Sequence, residues 1–131
     1  MANRTVGDIY ELASALIFEA SGEDTDSQTF SIPFLNIFLQ ECLPTENSIR
    51  EFNGDDLLTE APWVESLDDE VAYNGSLTRV ALPYALAWRF FVEAMDTYQA
   101  DICRAKYDEA RNNAGKCIVE DIEDYYATAE E

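Results

Sequence analysis

The stretch Arg79–Ala94, RVALPYALAWRFFVEA, is the most apolar run in an otherwise heavily acidic chain. It is not a membrane span, because Pro83 and Arg89 interrupt it and a span needs about 20 apolar residues. Pro83 suits the first turn of a helix, where its missing N–H leaves no helical bond unmade. The stretch therefore predicts the N-terminal half of a central helix over about Leu82–Asn113, which Asn112, Asn113 and Gly115 would stop.

Large apolar residues recur along this predicted helix at alternating spacings of four and three, which is typical of a heptad seam. The seam comprises Tyr84, Trp88, Phe91, Met95, Tyr98, Ile102 and Ala105, and a second stripe comprises Leu82, Leu86 and Phe90. We expect Trp88, Phe91, Met95 and Tyr98 to be buried. The extra apolar width indicates a helix that is enclosed on most sides or that also meets a neighbouring subunit. Trp88 and Phe90 are the candidate interface residues on this helix.

Two further helices are predicted before the central one. Thr5 is a candidate N-cap for a helix over Thr5–Glu19, with Asp8 at the capping-box position and Gly22 as a stop signal. An acidic loop, EDTDSQT, follows. The second helix spans Phe30–Leu43, with Pro33 in its first turn and Pro44 ending it.

Residues 45–78 are the least regular part of the sequence. The segment NSIREFNG is compatible with a short helix or with a strand closed by Asn53-Gly54. In the following segment, Ser66 caps a predicted short helix with Asp69 three residues on, and Asn74-Gly75 ends it.

The predicted fold is mainly α: a small helical bundle around one long central helix, with an irregular 45–78 segment and a C-terminal arm. We expect one helical domain over residues 1–117 and an acidic arm over residues 118–131. The arm is compatible with a strand or a loosely held segment. Its apolar residues are too numerous for a purely solvating tail, and Ile118, Ile122 and Tyr125 are its candidate interface anchors.

The charge of the chain is −19, and it is unevenly distributed. Residues 1–78 carry 16 acids and 2 bases, residues 79–117 carry 5 acids and 6 bases, and residues 118–131 carry 6 acids and no base. Such a field repels DNA, RNA and anionic lipid, so we expect neither specific nucleic-acid binding nor membrane binding. The alternative interpretation is that the negative charge only keeps the protein soluble.

The sequence lacks the residue patterns of common catalytic and metal-binding sites. There is no histidine, and the three cysteines, Cys42, Cys103 and Cys117, form no C-x-x-C pair. An EF-hand-like start at Asp24 fails, because Thr29 stands at the glycine position and Leu35 at the position of the bidentate glutamate. We expect a protein that is not an enzyme and that holds neither a metal nor a cofactor, with reduced thiols in a cytosolic setting.

Three stretches resemble the small head–tail connector proteins of tailed bacteriophages and prophages. These are PWVESLDDEVAY (62–73), LPYALAWRFFVE (82–93) and AKYDEARNN (105–113). The matching positions are Leu82, Pro83, Tyr84, Leu86, Ala87 and Tyr107, whereas Ala85 stands where the family has glycine. The arm IVEDIEDYY resembles the family's acidic, tyrosine-containing tail.

The resemblance implies a helical subunit that assembles in a ring below the portal and joins the capsid to the tail. Its expected partners are portal, tail and neck proteins and further copies of itself, in the virion neck or the host bacterial cytoplasm. An acidic channel would let DNA slide through without being bound. Two other interpretations stay open: an acidic DNA-mimic inhibitor, and a small helical regulatory module that binds one protein partner.

Overall fold

The computed structural model describes residues 4–17 and 25–130, with side chains described for residues 4–17 and 31–115. The fold is mainly α, as predicted. In chain order the elements are β1 (Arg4–Thr5), α1 (Val6–Leu16), α2 (Thr25–Asn53), β2 (Glu70–Val71), a π-helical turn (Leu77–Ala81), α3 (Leu82–Glu93) and α4 (Thr97–Glu130).

Helix α1 begins where the capping signal predicted it. The Thr5 hydroxyl accepts a hydrogen bond from the Asp8 N–H, and the Asp8 carboxylate accepts one from the Thr5 N–H, both at 3.1 Å. Ile9 and Ala13 face the core. The helix ends at Leu16 rather than at the predicted Glu19, and the Gly22 stop signal lies outside the described residues.

Helix α2 is much longer than predicted, and the expectation that Pro44 ends it is wrong. It begins at Thr25, inside the stretch predicted as an acidic loop, and contains both Pro33 and Pro44. Contacts beyond Pro44 hold the chain in helical geometry: the Glu46 carboxylate accepts from the Asn74 N–H at 2.6 Å, and the Arg50 guanidinium donates to the Ala72 carbonyl at 2.7 Å. These contacts offset the roughly 3 kcal/mol that an interior proline costs.

The short helix predicted after Ser66 is not formed. Instead, the Asp69 carboxylate closes a turn by accepting from the N–H groups of Glu65 and Ser66, at 2.7 and 3.0 Å. This competes with helix formation, as short acidic side chains often do. The chain then enters β2, which pairs antiparallel with β1 in the register Arg4↔Val71.

The central helix is two helices, α3 and α4, and not the continuous one predicted. The Asp96 N–H donates to the Phe91 carbonyl at 2.9 Å, and the Met95 N–H donates to the Val92 carbonyl at 3.1 Å. This pair of bonds is a Schellman motif with Met95 in the left-handed position, at φ 60°. The Asp96 carboxylate then caps α4 by accepting from the Gln99 N–H at 3.1 Å.

The break at Met95 changes which residues are buried. The predicted seam assumes one straight helix. Beyond the break at Met95, the residues of the seam no longer face the core. Met95 and Tyr98 are 88% and 73% exposed, so their predicted burial is wrong, while Trp88 and Phe91 are half-buried. The second stripe supplies the core instead, since Leu82 and Leu86 are buried at the centre of the bundle.

Helix α4 passes through the predicted stop at Asn112, Asn113 and Gly115 and continues to Glu130, so the alternative of a C-terminal strand is wrong. The side chains of the anchors Ile118, Ile122 and Tyr125 lie outside the described residues. The predicted boundary between residues 117 and 118 stays a prediction.

The left-handed conformation of Met95 predicts a stabilising substitution. A non-glycine residue in the left-handed region costs about 1–2 kcal/mol. Glycine avoids this cost, but it loses more conformational entropy on folding, which cancels part of the gain. We expect Met95→Gly to raise the free energy of unfolding by about 0.5–1 kcal/mol in denaturant titrations. Ala94→Gly, one residue earlier at φ −79°, is the control and should lower it. Equal effects of the two variants would contradict the left-handed turn.

Candidate assembly surfaces

Four large apolar side chains are exposed around the connection between α3 and α4, and we call this set the corner patch. Its members are Val92, Met95, Tyr98 and Ile102, of which Val92 and Ile102 are 37% and 39% exposed. Tyr98 and Ile102 are one turn apart on α4 and therefore share a face. A cluster of this kind is unusual on an acidic surface, where exposed apolar residues are normally scattered singly.

The backbone beneath the corner patch is fixed on both sides. The Schellman bonds end α3, and the Asp96 cap starts α4 immediately afterwards. The half-buried rings of Phe90 and Phe91 pack edge to face, with centroids 5.5 Å apart. The patch is therefore held on a defined frame, which lowers the entropy cost of binding.

The two predicted interface residues on α3 have different surroundings. Phe90 lies two residues before Val92, the first member of the corner patch. Trp88 instead packs edge to face against Phe38 of α2, with centroids 6.0 Å apart, and the Arg104 guanidinium lies 4.9 Å from its ring centroid. Trp88 thus links α2, α3 and α4 at the margin of the core.

A row of exposed, uncharged residues runs along the outer face of α2 over four turns, and we call this row the α2 stripe. Its exposed residues follow spacings of four, three, four and four: Pro33, Ile37, Gln40, Pro44 and Ser48. The exposed Glu41 lies beside the row, where its carboxylate contacts Tyr107 and Arg111 of α4. The opposite face of the helix enters the core through Leu35, Leu39 and Cys42. The stripe is about 22 Å long, since each helical residue adds 1.5 Å. In a chain of charge −19, a neutral surface of this length is a candidate contact.

Arginines of α3 and α4 are used inside the bundle. The guanidinium of Arg89 lies 4.3 Å from the ring centroid of Phe34, and that of Arg111 lies 4.6 Å from the centroid of Tyr107. Arg89 also pairs with Glu93, and Arg111 with Asp108 at 2.9 Å. These contacts neutralise much of the small positive charge of the chain locally.

Tyr107 closes the junction between α2 and α4. It is fully buried, its ring packs edge to face on Phe38, and its hydroxyl donates to the Glu41 carboxylate at 2.6 Å. The Cys42 sulfur lies 3.7 Å from the same hydroxyl. Burial, the neighbouring Cys42 thiol and the Glu41 carboxylate hold the Tyr107 pKa far above its usual range. Burial also raises the pKa of Cys42 from 9.0 to about 11, so this thiol is unreactive at neutral pH.

The raised pKa values predict a loss of stability in alkali. The unfolded chain releases the Cys42 proton near pH 9 and the Tyr107 proton near pH 10, whereas the raised pKa values of the folded chain retain both protons. Unfolding then releases protons, so stability falls as the pH rises, by about 1.4 kcal/mol per pH unit for each group. For Cys42 the loss runs from pH 9.0 to about 11.

Denaturant titrations at pH 8, 9, 10 and 11 would measure this dependence. Cys42→Ala removes one titrating group, so its stability should fall less steeply than that of the wild-type chain between pH 9.0 and about 11. Stability that stays constant up to pH 11 would contradict the burial of these groups.

Other kinds of site find little support in the described part of the chain. Within it, no group of three or more His, Cys, Asp or Glu is placed to hold a metal ion. Among the described residues, no helix is long and apolar enough to cross a bilayer.

Comparisons with known proteins give no match: no family model, no curated protein and no solved structure matches this chain.

Sequence reasoning missed the corner patch because it placed Met95 and Tyr98 inside a seam. One signal was available: Asp96 precedes Gln99 by three residues, which is the spacing of a helix start. The turn before it carried no signal, since methionine stands where glycine is usual.

Proposed function

We propose that this chain is a structural subunit of the head–tail connector of a tailed bacteriophage or prophage, assembling in a ring below the portal. The corner patch carries the proposal, because it is an apolar surface on a rigid frame that the subunit leaves uncovered among its described residues. The residues of the resemblance support it: Leu82, Pro83, Leu86 and Ala87 are buried at the start of α3, and Tyr107 is buried in α4.

A ring requires two different surfaces on each subunit, because its contacts are head-to-tail. We assign the corner patch to one side of this contact and the α2 stripe to the other. The corner patch is bordered by the exposed acids Glu93, Asp96 and Asp101, which would repel an acidic surface. The stripe itself carries no charge and the neighbouring Glu41 is paired with Arg111, so the stripe repels such a patch less than the rest of the acidic surface does.

The electrostatics of the subunit suit a channel through which DNA passes. Arg89, Arg104 and Arg111 lie against aromatic rings, and each also pairs with an acidic side chain of α2, α3 or α4. The remaining excess of carboxylates repels phosphate, so DNA could move past such a ring without adhering. Portal, tail and neck proteins are then the partners, in the virion neck or the host cytoplasm.

Charges placed in the corner patch should prevent self-association. We expect the purified chain to form a multimer of defined mass in light-scattering chromatography, and Met95→Asp with Tyr98→Asp to reduce it to a monomer. Both side chains are exposed, so the free energy of unfolding should change by less than about 1 kcal/mol. Leu12→Asp, an exposed residue of α1, is the matched control and should leave the multimer intact.

A chain that stays monomeric at every concentration, and also when purified portal protein is added, would contradict the proposal. That result would favour the DNA-mimic inhibitor or the regulatory module. A multimer that survives the double substitution would show that the contact lies elsewhere.

A further inference from the structure

A second exposed surface lies on the irregular segment after α2. This segment runs back along α2, and two asparagine side chains fix its backbone. Asn47 pairs with both backbone polar groups of Leu58, at 2.8 and 3.0 Å, and Asn36 pairs with both of Val64, at 2.8 and 2.9 Å. Although it has no helix or strand there, the segment is held in one shape.

Trp63 projects from this fixed backbone. It is 74% exposed, whereas the next residue, Val64, is buried in the core. An exposed tryptophan on a pre-ordered backbone is the kind of residue that dominates protein interfaces, because it loses little entropy and buries a large area. We call Trp63, with its exposed chain neighbours Glu60 and Glu65, the Trp63 surface.

Exposed acidic residues occur throughout the segment that carries Trp63. Residues 51–78 contain eight acids and no base. Those that are exposed are Glu51, Asp55, Asp56, Glu60, Glu65, Asp68 and Glu70. In the described part of the chain these carboxylates have no arginine or lysine partner within 4.0 Å. Trp63 thus stands in a segment whose exposed charged residues are all acidic.

This combination of charge and shape selects the occupant. A second copy of the chain is a poor partner for this surface, because it has few basic side chains to offer: its Arg50, Arg89, Arg104 and Arg111 are already paired with carboxylates. Nucleic acid and anionic lipid are repelled by the negative charge. We infer that the Trp63 surface docks a different protein, one that presents an apolar pocket rimmed by lysine and arginine. This surface is separate from the corner patch and the α2 stripe, so the inference goes beyond the ring contact and does not depend on it.

Two synthetic polymers provide a direct test with the full chain. One is polylysine, and the other is a lysine–phenylalanine copolymer of similar length and charge, both dye-labelled for anisotropy titration. We expect the copolymer to bind about tenfold more tightly at near-physiological salt, since Trp63 adds an apolar contact to the electrostatic one. Trp63→Ala should remove most of that difference while leaving polylysine binding unchanged.

Leu12→Ala is the control, because Leu12 is an exposed apolar residue of α1 that lies outside the corner patch and the α2 stripe. It should change copolymer binding less than about twofold if the docking surface is the one around Trp63. Glu60→Gln with Glu65→Gln should weaken the binding of both polymers and flatten its salt dependence.

The inference is overturned if the two polymers bind equally, or if Trp63→Ala and Leu12→Ala have the same effect. Either result would mean that the polymers respond to net charge alone. Failure of the ring contact is distinguished by the Met95→Asp, Tyr98→Asp variant, which should lose the multimer and keep copolymer binding.

Discussion

Tyr107→Ala is expected to lower the free energy of unfolding by about 3–5 kcal/mol, the range for truncating a large buried aromatic side chain. Tyr107 is fully buried where α2 meets α4, and its ring packs against Phe38. The substitution would open a cavity at this junction. It would also leave the Arg111 guanidinium without the ring beneath it. Urea titrations followed by circular dichroism would measure the change.

Two further variants separate the contributions of the Tyr107 side chain. Tyr107→Phe keeps the ring and removes only the bond to Glu41, so we expect a loss of about 1–2 kcal/mol. Tyr98→Ala removes an exposed tyrosine from the same helix and should change stability by less than about 0.5 kcal/mol. Similar losses for the Tyr98 and Tyr107 alanine variants would contradict the packing of α4 described above.

Glu46→Ala is expected to lower the free energy of unfolding by about 2–4 kcal/mol, although Glu46 belongs to a residue type that is usually exposed. Its side chain is 3% exposed and accepts two hydrogen bonds: one from the Arg50 guanidinium at 2.7 Å and one from the Asn74 N–H at 2.6 Å. Removing the carboxylate leaves both donors short of a partner. Arg50 is partly exposed, so water compensates some of the loss.

Two comparison variants isolate the contribution of the Glu46 carboxylate to stability. Glu46→Gln keeps an acceptor for the Asn74 N–H and should lose only about 1–2 kcal/mol. Glu51→Ala, at an exposed position near the end of the same helix, should change stability by less than about 0.5 kcal/mol. If Glu46→Ala resembled Glu51→Ala, the contacts that carry α2 past Pro44 would not form in solution.

Local signals predicted the parts of the fold that local bonds decide. The Thr5 and Asp8 capping box fixed the start of α1, and Pro83 marked the first turn of α3. Spacing also identified Leu82 and Leu86 as an apolar stripe, although the seam beside it was the one expected to be buried. At these positions, propensity, capping and tertiary packing favour the same structure.

Distant contacts decided the parts that could not be predicted. Pro44 carries a strong stop signal, but Glu46 and Arg50 bind groups 22 to 28 residues away and hold the helix together beyond it. Met95 carries no turn signal, yet it adopts the left-handed conformation that separates α3 from α4. No single-sequence pattern contains these contacts.

The same distinction between local signals and distant contacts applies to the candidate surfaces. Spacing identified Trp88 and Phe90 as candidate interface residues, and Phe90 lies two residues before Val92, the first member of the corner patch. Spacing could not separate the exposed Met95 and Tyr98 from core residues, because both depend on where the helix breaks. Trp63 gave no periodic signal, since it lies in a segment whose shape depends on Asn36 and Asn47.

Cysteine cross-linking tests the proposed ring contact most directly. Ile37→Cys lies on the α2 stripe and Met95→Cys in the corner patch, and both are introduced in a Cys117→Ser background, since Cys42 and Cys103 are buried. If the corner patch of one subunit meets the α2 stripe of the next, mild oxidation of the double variant gives a ladder of covalent oligomers that ends at one ring size. Each single variant then gives no ladder. Dimers from Met95→Cys alone, or no cross-link in the double variant, would contradict the head-to-tail contact.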